Sequence, residues 1–221
     1  MSYDWKTEWE NLGKSEDIFS QLGRDNFSFS DLSSMLKDIN DVLYLQRNDN
    51  LLDIGCANGL ISALIAPFCN TVTGVDFSET HITKAKDNYK NNMNISFIQN
   101  DIFQTEYIGF NKLLINAVLQ YLNKDDLLPV FDKIIRSDLE NIFFGHVPYM
   151  KKKSSFINGY SDYTTDSIKL EKKIDIWENN MTWYSKNDFD MFNNTFHIQF
   201  LEPNNQPVQH KYCINIALLR K

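Results

Sequence analysis

Residues 51–59 read LLDIGCANG. A strand-length apolar run ends in an acid, Asp53. Gly55 and Gly59 then bracket a small Cys-Ala-Asn turn, and GLISALIAPF continues as a helix that Pro67 stops. Glycine in such a turn lets a ligand approach the backbone, and the helix behind it offers free N–H groups. The same grammar repeats downstream. TVTGVDF (71–77) predicts a second strand, and Ser78 caps a helix through SETHITKAKDNYKNN. ISFIQND (95–101), KLLINAV (112–118) and ENIFFGHV (140–147) predict three more strands, with the helix DDLLPVFDKIIRS between the last two. Strands alternating with helices imply right-handed crossovers and a parallel sheet, whose ligands sit at the carboxyl ends of the strands.

The flanks complete the architecture. SDLSSMLKDINDVLYL puts Leu32, Met35, Leu36, Ile39, Val42 and Leu43 on one helical face behind Ser30 as the N-cap. After the fifth strand, residues 155–173 read as an ordered insertion or flap, and SKNDFDMFNN as a short helix. FHIQFLEP and KYCINIALLRK predict two strands joined by NNQPVQH, short enough for an antiparallel hairpin. The expectation is one α/β domain over 1–221, with a seven-stranded sheet of five parallel strands plus a C-terminal antiparallel hairpin. Residues 1–29 form an N-terminal helical lid segment and 148–185 a substrate-side insertion.

Composition sets bounds on partners. At 221 residues, 43% of them hydrophobic, the chain supports one substantial core. A net charge of −7 disfavours duplex nucleic acid and anionic membranes. No run approaches the roughly 18 apolar residues of a membrane span, and the acidic amino terminus lacks the apolar centre of a signal peptide, which predicts a cytoplasmic protein. Cys56, Cys69 and Cys213 form no C-x-x-C pair, and His81, His146, His197 and His210 lack metal-ligand spacing, so no disulfide framework or metal is expected.

Three acids end three successive strands: Asp53, Asp76 and Asp101. Asp76 lies 17 residues beyond Gly59, where a carboxylate can accept both hydroxyls of a ribose. Asp101 precedes apolar Ile102 and Phe103, a setting for an adenine. A dinucleotide site also carries a ribose acid, but its G-x-G-x-x-G turn admits a pyrophosphate. Here the turn is D-x-G-x-A-x-G, with Ala57 in the middle and an acid at its base, which suits a cationic ligand.

Through LLDIGCANG, GVDFS, QNDIF and NAVLQYL the sequence resembles the class I S-adenosylmethionine-dependent methyltransferases, a Rossmann-like fold, over most of residues 40–221. The resemblance implies S-adenosylmethionine as cofactor. Asp53, Gly55, Cys56, Asn58 and Gly59 would surround its methionine part and Asp76 would hold its ribose. Phe77 and Ile102 would flank the adenine, with Asp101 accepting from the adenine amino group. The backbone of Asn116, Ala117 and Val118 would face the ammonium. Ala57 stands where glycine is commonest, and RSDLEN replaces the usual Leu-Lys-Pro-Gly-Gly turn before the fifth strand.

Methyl transfer from a sulfonium asks mainly for orientation and, for a hydroxyl acceptor, a base. His146, ending the fifth strand, is the catalytic candidate; the alternative is a structural hydrogen-bonding group. Tyr121, Tyr149 and Tyr184 are candidate acceptor contacts. Lys151, Lys152 and Lys153 are either a solvated run or a clamp for an anionic acceptor. Trp5, Trp9 and Phe19 suit a lid that brings Arg24 toward the methionine carboxylate. The reading is methyl transfer to a small-molecule acceptor, at oxygen of a sugar, phosphorylated or nucleotide-linked precursor of a surface polysaccharide, by a monomer or homodimer. The rivals are an N-methyltransferase for an amine or protein side chain, a nicotinamide-dependent oxidoreductase and a catalytically silent cofactor-binding subunit.

Overall fold

The computed structural model describes residues 3–24, 27–154, 156, 167–204 and 212–221. Its centre is a seven-stranded sheet in the order β3-β2-β1-β4-β5-β7-β6. The strands are β1 (Asn50–Ile54), β2 (Thr71–Asp76), β3 (Ile95–Gln99), β4 (Lys112–Asn116), β5 (Asn141–Pro148), β6 (Phe196–Leu201) and β7 (Cys213–Arg220). The first five pair in parallel, and β7 runs antiparallel to both β5 and β6. The five-plus-hairpin expectation is met, although the hairpin inserts so that its second strand, β7, lies beside β5. Of its connecting loop, residues 205–211 lie outside the described residues.

Helices cover both faces because the central strands are apolar on both. On one side α2 (Phe29–Leu43) and α3 (Leu60–Ile65) pack Ile39, Leu43 and Ile61 against Leu51, Leu114 and Phe143. On the other, α5 (Lys124–Arg136) and the 3-10 segment Lys186–Phe192 pack Leu127, Phe131, Ile134 and Phe189 against Leu113, Ile115, Ile142 and Phe144. α4 (Glu79–Tyr89) follows β2 behind its Ser78 cap. α2 starts one turn-fraction earlier than expected: Ser28, in a capping box with Asp31, is the N-cap in place of Ser30.

Two elements prepare the site. α1 (Trp5–Gly13) lies in the amino-terminal segment, and α6 (Ser167–Asn180) occupies the insertion, where the sequence suggested an ordered insertion or flap. The strand order reverses between β1 and β4, so the loops after those strands diverge and leave a crevice at their carboxyl ends.

Candidate functional site

A cavity of about 320 Å³ fills that crevice. Its floor comes from β1 and its turn (Asp53 to Ala57), β2 (Asp76, Phe77), the turn after β3 (Asn100 to Phe103) and the end of β4 (Asn116 to Val118). Its roof comes from the amino-terminal segment, through Trp5, Lys6, Trp9, Leu22 and Arg24.

The turn after β1 is shaped for close approach. Gly55 has φ +77, and a Cβ there would sit 2.2 Å from Val118 Cγ2. Gly55→Ala should therefore cost roughly 2–4 kcal/mol, from left-handed strain plus overpacking; a thermal melt matching the parent would show that the turn yields freely. Ala57 also takes a left-handed φ of 47, which explains why glycine suits that place, and its N–H donates to Asp76 Oδ2 at 3.0 Å. Ser78 N–H donates to Asp76 Oδ1 at 2.9 Å. Both carboxylate oxygens are thus aimed by backbone, while burial raises the Asp76 pKa.

Asp53 is buried under the turn and accepts from Ser62 Oγ at 2.5 Å. Burial, with a smaller contribution from the Asp76 charge, pushes its pKa up to about 7. Burial also raises the Cys56 thiol well above its usual value, so Cys56 lines the cavity as a neutral group. Asp101 accepts from Phe103 N–H at 3.1 Å and faces Lys6 Nζ at 3.9 Å, an exposed pair of little energetic weight.

Arg24 is the cavity's buried cation. It is 6% exposed, and burial lowers its pKa. Its guanidinium stands 4.9 Å from the Phe27 ring and 3.4 Å from His146 Nε2, and no carboxylate among the described residues pairs with it. His146 Nδ1 lies 3.3 Å from Asn116 Oδ1. His146 is buried behind Arg24 and Asn116 and is not part of the cavity wall.

The roof is fastened at several points. Glu10 accepts from Glu79 N at 2.9 Å and Thr80 N at 3.4 Å, at the amino end of α4, where the helix dipole favours a carboxylate. Trp5 Nε1 donates to Asn180 O at 3.1 Å, which ties α1 to α6, and His81 Nε2 meets Gln21 O at 2.8 Å. Trp5 and Trp9 pack on Tyr121, with ring centroids 4.6 and 5.6 Å away. Glu10, Asn180 and Gln21 carried no signal in the sequence, since each acts on a residue far along the chain.

Of the residues expected to touch the cofactor, Arg24, Asp53, Gly55, Cys56, Asp76, Phe77, Asp101, Ile102, Asn116, Ala117 and Val118 line the cavity, as does Tyr121. Asn58 and Gly59 do not. Asn58 is fully buried and its amide donates to Ile18 O at 3.0 Å and Gln21 Oε1 at 2.9 Å, holding the roof, while Gly59 caps α3 against the Phe97 ring. Tyr184 is buried and donates to Leu119 O at 2.9 Å, and Tyr149 bridges to it along the backbone. Lys152 pairs with Glu202 and reaches Cys213 O, Lys153 lies 5.5 Å over the Trp183 ring, and Lys151 faces solvent; none lines the cavity. Among the described residues no cluster of metal-ligating side chains occurs, and no helix is long and apolar enough to cross a membrane.

The switch-point crevice, the hairpin-closed sheet and the acids after β1, β2 and β3 define the class I methyltransferase architecture. Residues 51–137, from β1 through α5, match the family model described as a methyltransferase domain. This stretch is a methyltransferase domain, and the fold around it is that of the S-adenosylmethionine-dependent methyltransferases. It is 26% identical over 183 residues to a carboxy-S-adenosyl-L-methionine synthase of Campylobacter concisus, covering 77% of this chain and 78% of that one. Among solved structures, the N-methyltransferase NodS of Bradyrhizobium japonicum in complex with S-adenosylhomocysteine matches with TM-score 0.68 at 16% identity, covering 97% of each chain. Phosphoethanolamine N-methyltransferase 1 of Haemonchus contortus matches with TM-score 0.68 at 16% identity, over 97% of this chain and 48% of that one.

Proposed function

We propose that the chain methylates a small polar acceptor that enters beside Arg24 and Tyr121 beneath the aromatic roof. The cofactor supplies an electrophilic methyl group on a sulfonium. The residues suit it: the buried guanidinium of Arg24 pairs with no carboxylate among the described residues and would take that of the methionine end, and Asp53 would take the ammonium. Asp76 would accept from the ribose, and Phe77 and Ile102 would flank the adenine beside Asp101. The roof keeps water from the reacting centre and narrows the approach to an in-line attack.

For the acceptor atom, nitrogen is the reading the geometry supports best. The observation that carries it is that, in the cavity wall among the described residues, the carboxylates Asp53, Asp76 and Asp101 are assigned to the cofactor and no other side chain is poised to remove a hydroxyl proton. The Tyr121 phenol is pushed up to about 12 by burial and Cys56 is held neutral. Both ring nitrogens of His146 are engaged, with Arg24 and Asn116. An amine sheds its proton to water before it binds and needs no such base. The two N-methyltransferase neighbours lean the same way.

O-methylation of a sugar or nucleotide-linked polysaccharide precursor is the second reading, and His146 is what supports it. An acceptor hydroxyl that displaced Arg24 from Nε2 would meet an imidazole lone pair. A panel of primary amines and of phosphorylated and nucleotide-linked sugars, offered with methyl-labelled cofactor to the parent and His146→Gln, separates the two. The nitrogen reading expects labelled amine and a rate within about fivefold of the parent. Labelled hydroxyl alone, with a loss of about a hundredfold or more in His146→Gln, would replace it by the oxygen reading.

A further inference from the structure

The register of β5 against β7 breaks beside the cavity. Phe144 faces Ile216 and Val147 faces Ile214, so Gly145 and His146 together oppose one residue, Asn215. This is a β-bulge, and it turns His146 into a left-handed φ of 52. A non-glycine residue holds that conformation only where its surroundings impose it.

Asn215 supplies the restraint. It is 2% exposed, and its Oδ1 accepts the His146 N–H, which the bulge withdraws from the strand ladder, at 3.1 Å. Its orientation is set from behind, because Nδ2 donates to Asp38 Oδ2 at 3.1 Å and a carboxylate can only accept. Asp38, on α2, is itself buried and takes the Asn204 N–H at 3.0 Å. Ahead of the bulge, Asn116 Nδ2 is directed at Met35 Sδ at 3.3 Å, so its Oδ1 faces the His146 ring and receives Nδ1–H. Nε2 then presents its lone pair to Arg24. Gly145 makes room for this, since a Cβ there would sit 2.2 Å from Asn116 Oδ1.

We propose that Asn215, oriented by Asp38, is a positioning residue for the cofactor cleft: it holds the bulge that aims His146, and His146 holds the Arg24 guanidinium at the cavity wall. The inference rests on the reading of Arg24 as the carboxylate-binding group. Asn215 touches no ligand and acts through two other residues. Its effect should therefore be confined to ligands that carry the carboxylate.

The probes are S-adenosylhomocysteine and 5′-methylthioadenosine, which share the nucleoside and differ in the amino-acid end. Calorimetry with Asn215→Leu, which removes both polar atoms at similar volume, should show S-adenosylhomocysteine weakened about tenfold and methylthioadenosine changed less than twofold. Asn215→Thr, favourable in a strand but too short to span Asp38 and the His146 N–H, should show the same selective loss and guards against a misfolded leucine variant. A merely structural residue would weaken both probes alike or neither, and either result overturns the proposal. Arg24→Gln is measured beside them. Selective loss in Arg24→Gln without it in the Asn215 variants overturns the relay alone, whereas an unselective Arg24→Gln overturns the carboxylate reading and the relay with it.

Discussion

Arg24→Met should melt at a higher temperature than the parent and bind S-adenosylhomocysteine about a hundredfold more weakly. The opposite signs follow from one fact: the guanidinium is buried and no described carboxylate pairs with it. Desolvating a cation without a counter-charge is costly, and an apolar side chain of similar reach removes that cost, a gain of roughly 1–3 kcal/mol. At about 2–4 °C per kcal/mol for a chain of this size, the shift is readily measured by calorimetric melting. The same substitution deprives the ligand carboxylate of a charge-assisted hydrogen bond in a dry site, about 2–3 kcal/mol. A variant that melts lower and binds as before would remove Arg24 from the site and leave it a packing residue on Phe27.

Cofactor affinity should fall with acidification through the neutral range, by about tenfold per pH unit below 7. Asp53 is responsible. Burial pushes its carboxyl up to about 7, so the unliganded site is half protonated near neutrality. A cationic ammonium binds the ionised form, and binding therefore expels a proton wherever the free site holds one. The stability of the unliganded fold runs the other way. Its folded pKa lies above the ordinary value, so between about pH 4 and 7 the native state binds more protons than the unfolded chain, and stability declines as pH rises across that window. Titrations from pH 5.5 to 8 in buffers of differing ionisation enthalpy would detect the released proton. Asp53→Asn should flatten the profile; a parent profile already flat would mean that Asp53 is ionised throughout or faces no cation.

The succession of strands, the cleft at their carboxyl ends and the acids lining it were legible in the sequence because they depend on local pattern: LLDIGCANG, TVTGVDF and KLLINAV each declare a strand and its end. Departures arose where local signals compete or long-range contacts decide. Ser28 outcompetes Ser30 as the cap of α2 because Asp31 completes its box. Asn58 looks like a ligand contact by position, yet its amide points away to Ile18 and Gln21. The lysine run after β5 finds partners in Glu202 and Trp183, contacts that span tens of residues. The bulge at His146 was invisible, since it exists only through Asn215, 69 residues on.

The fastening of the roof bears on time as well as on shape. On the proposed reading of the cavity, a nucleoside the size of the cofactor would leave past Trp5 and Trp9, and the contacts of Glu10 with α4 and of Trp5 with α6 hold those side chains over it. Spent product and fresh cofactor would share this passage. The residence time of S-adenosylhomocysteine would then depend on Glu10 and Asn180, two residues that do not line the cavity, and loosening either one would trade a drier reaction for a faster exchange.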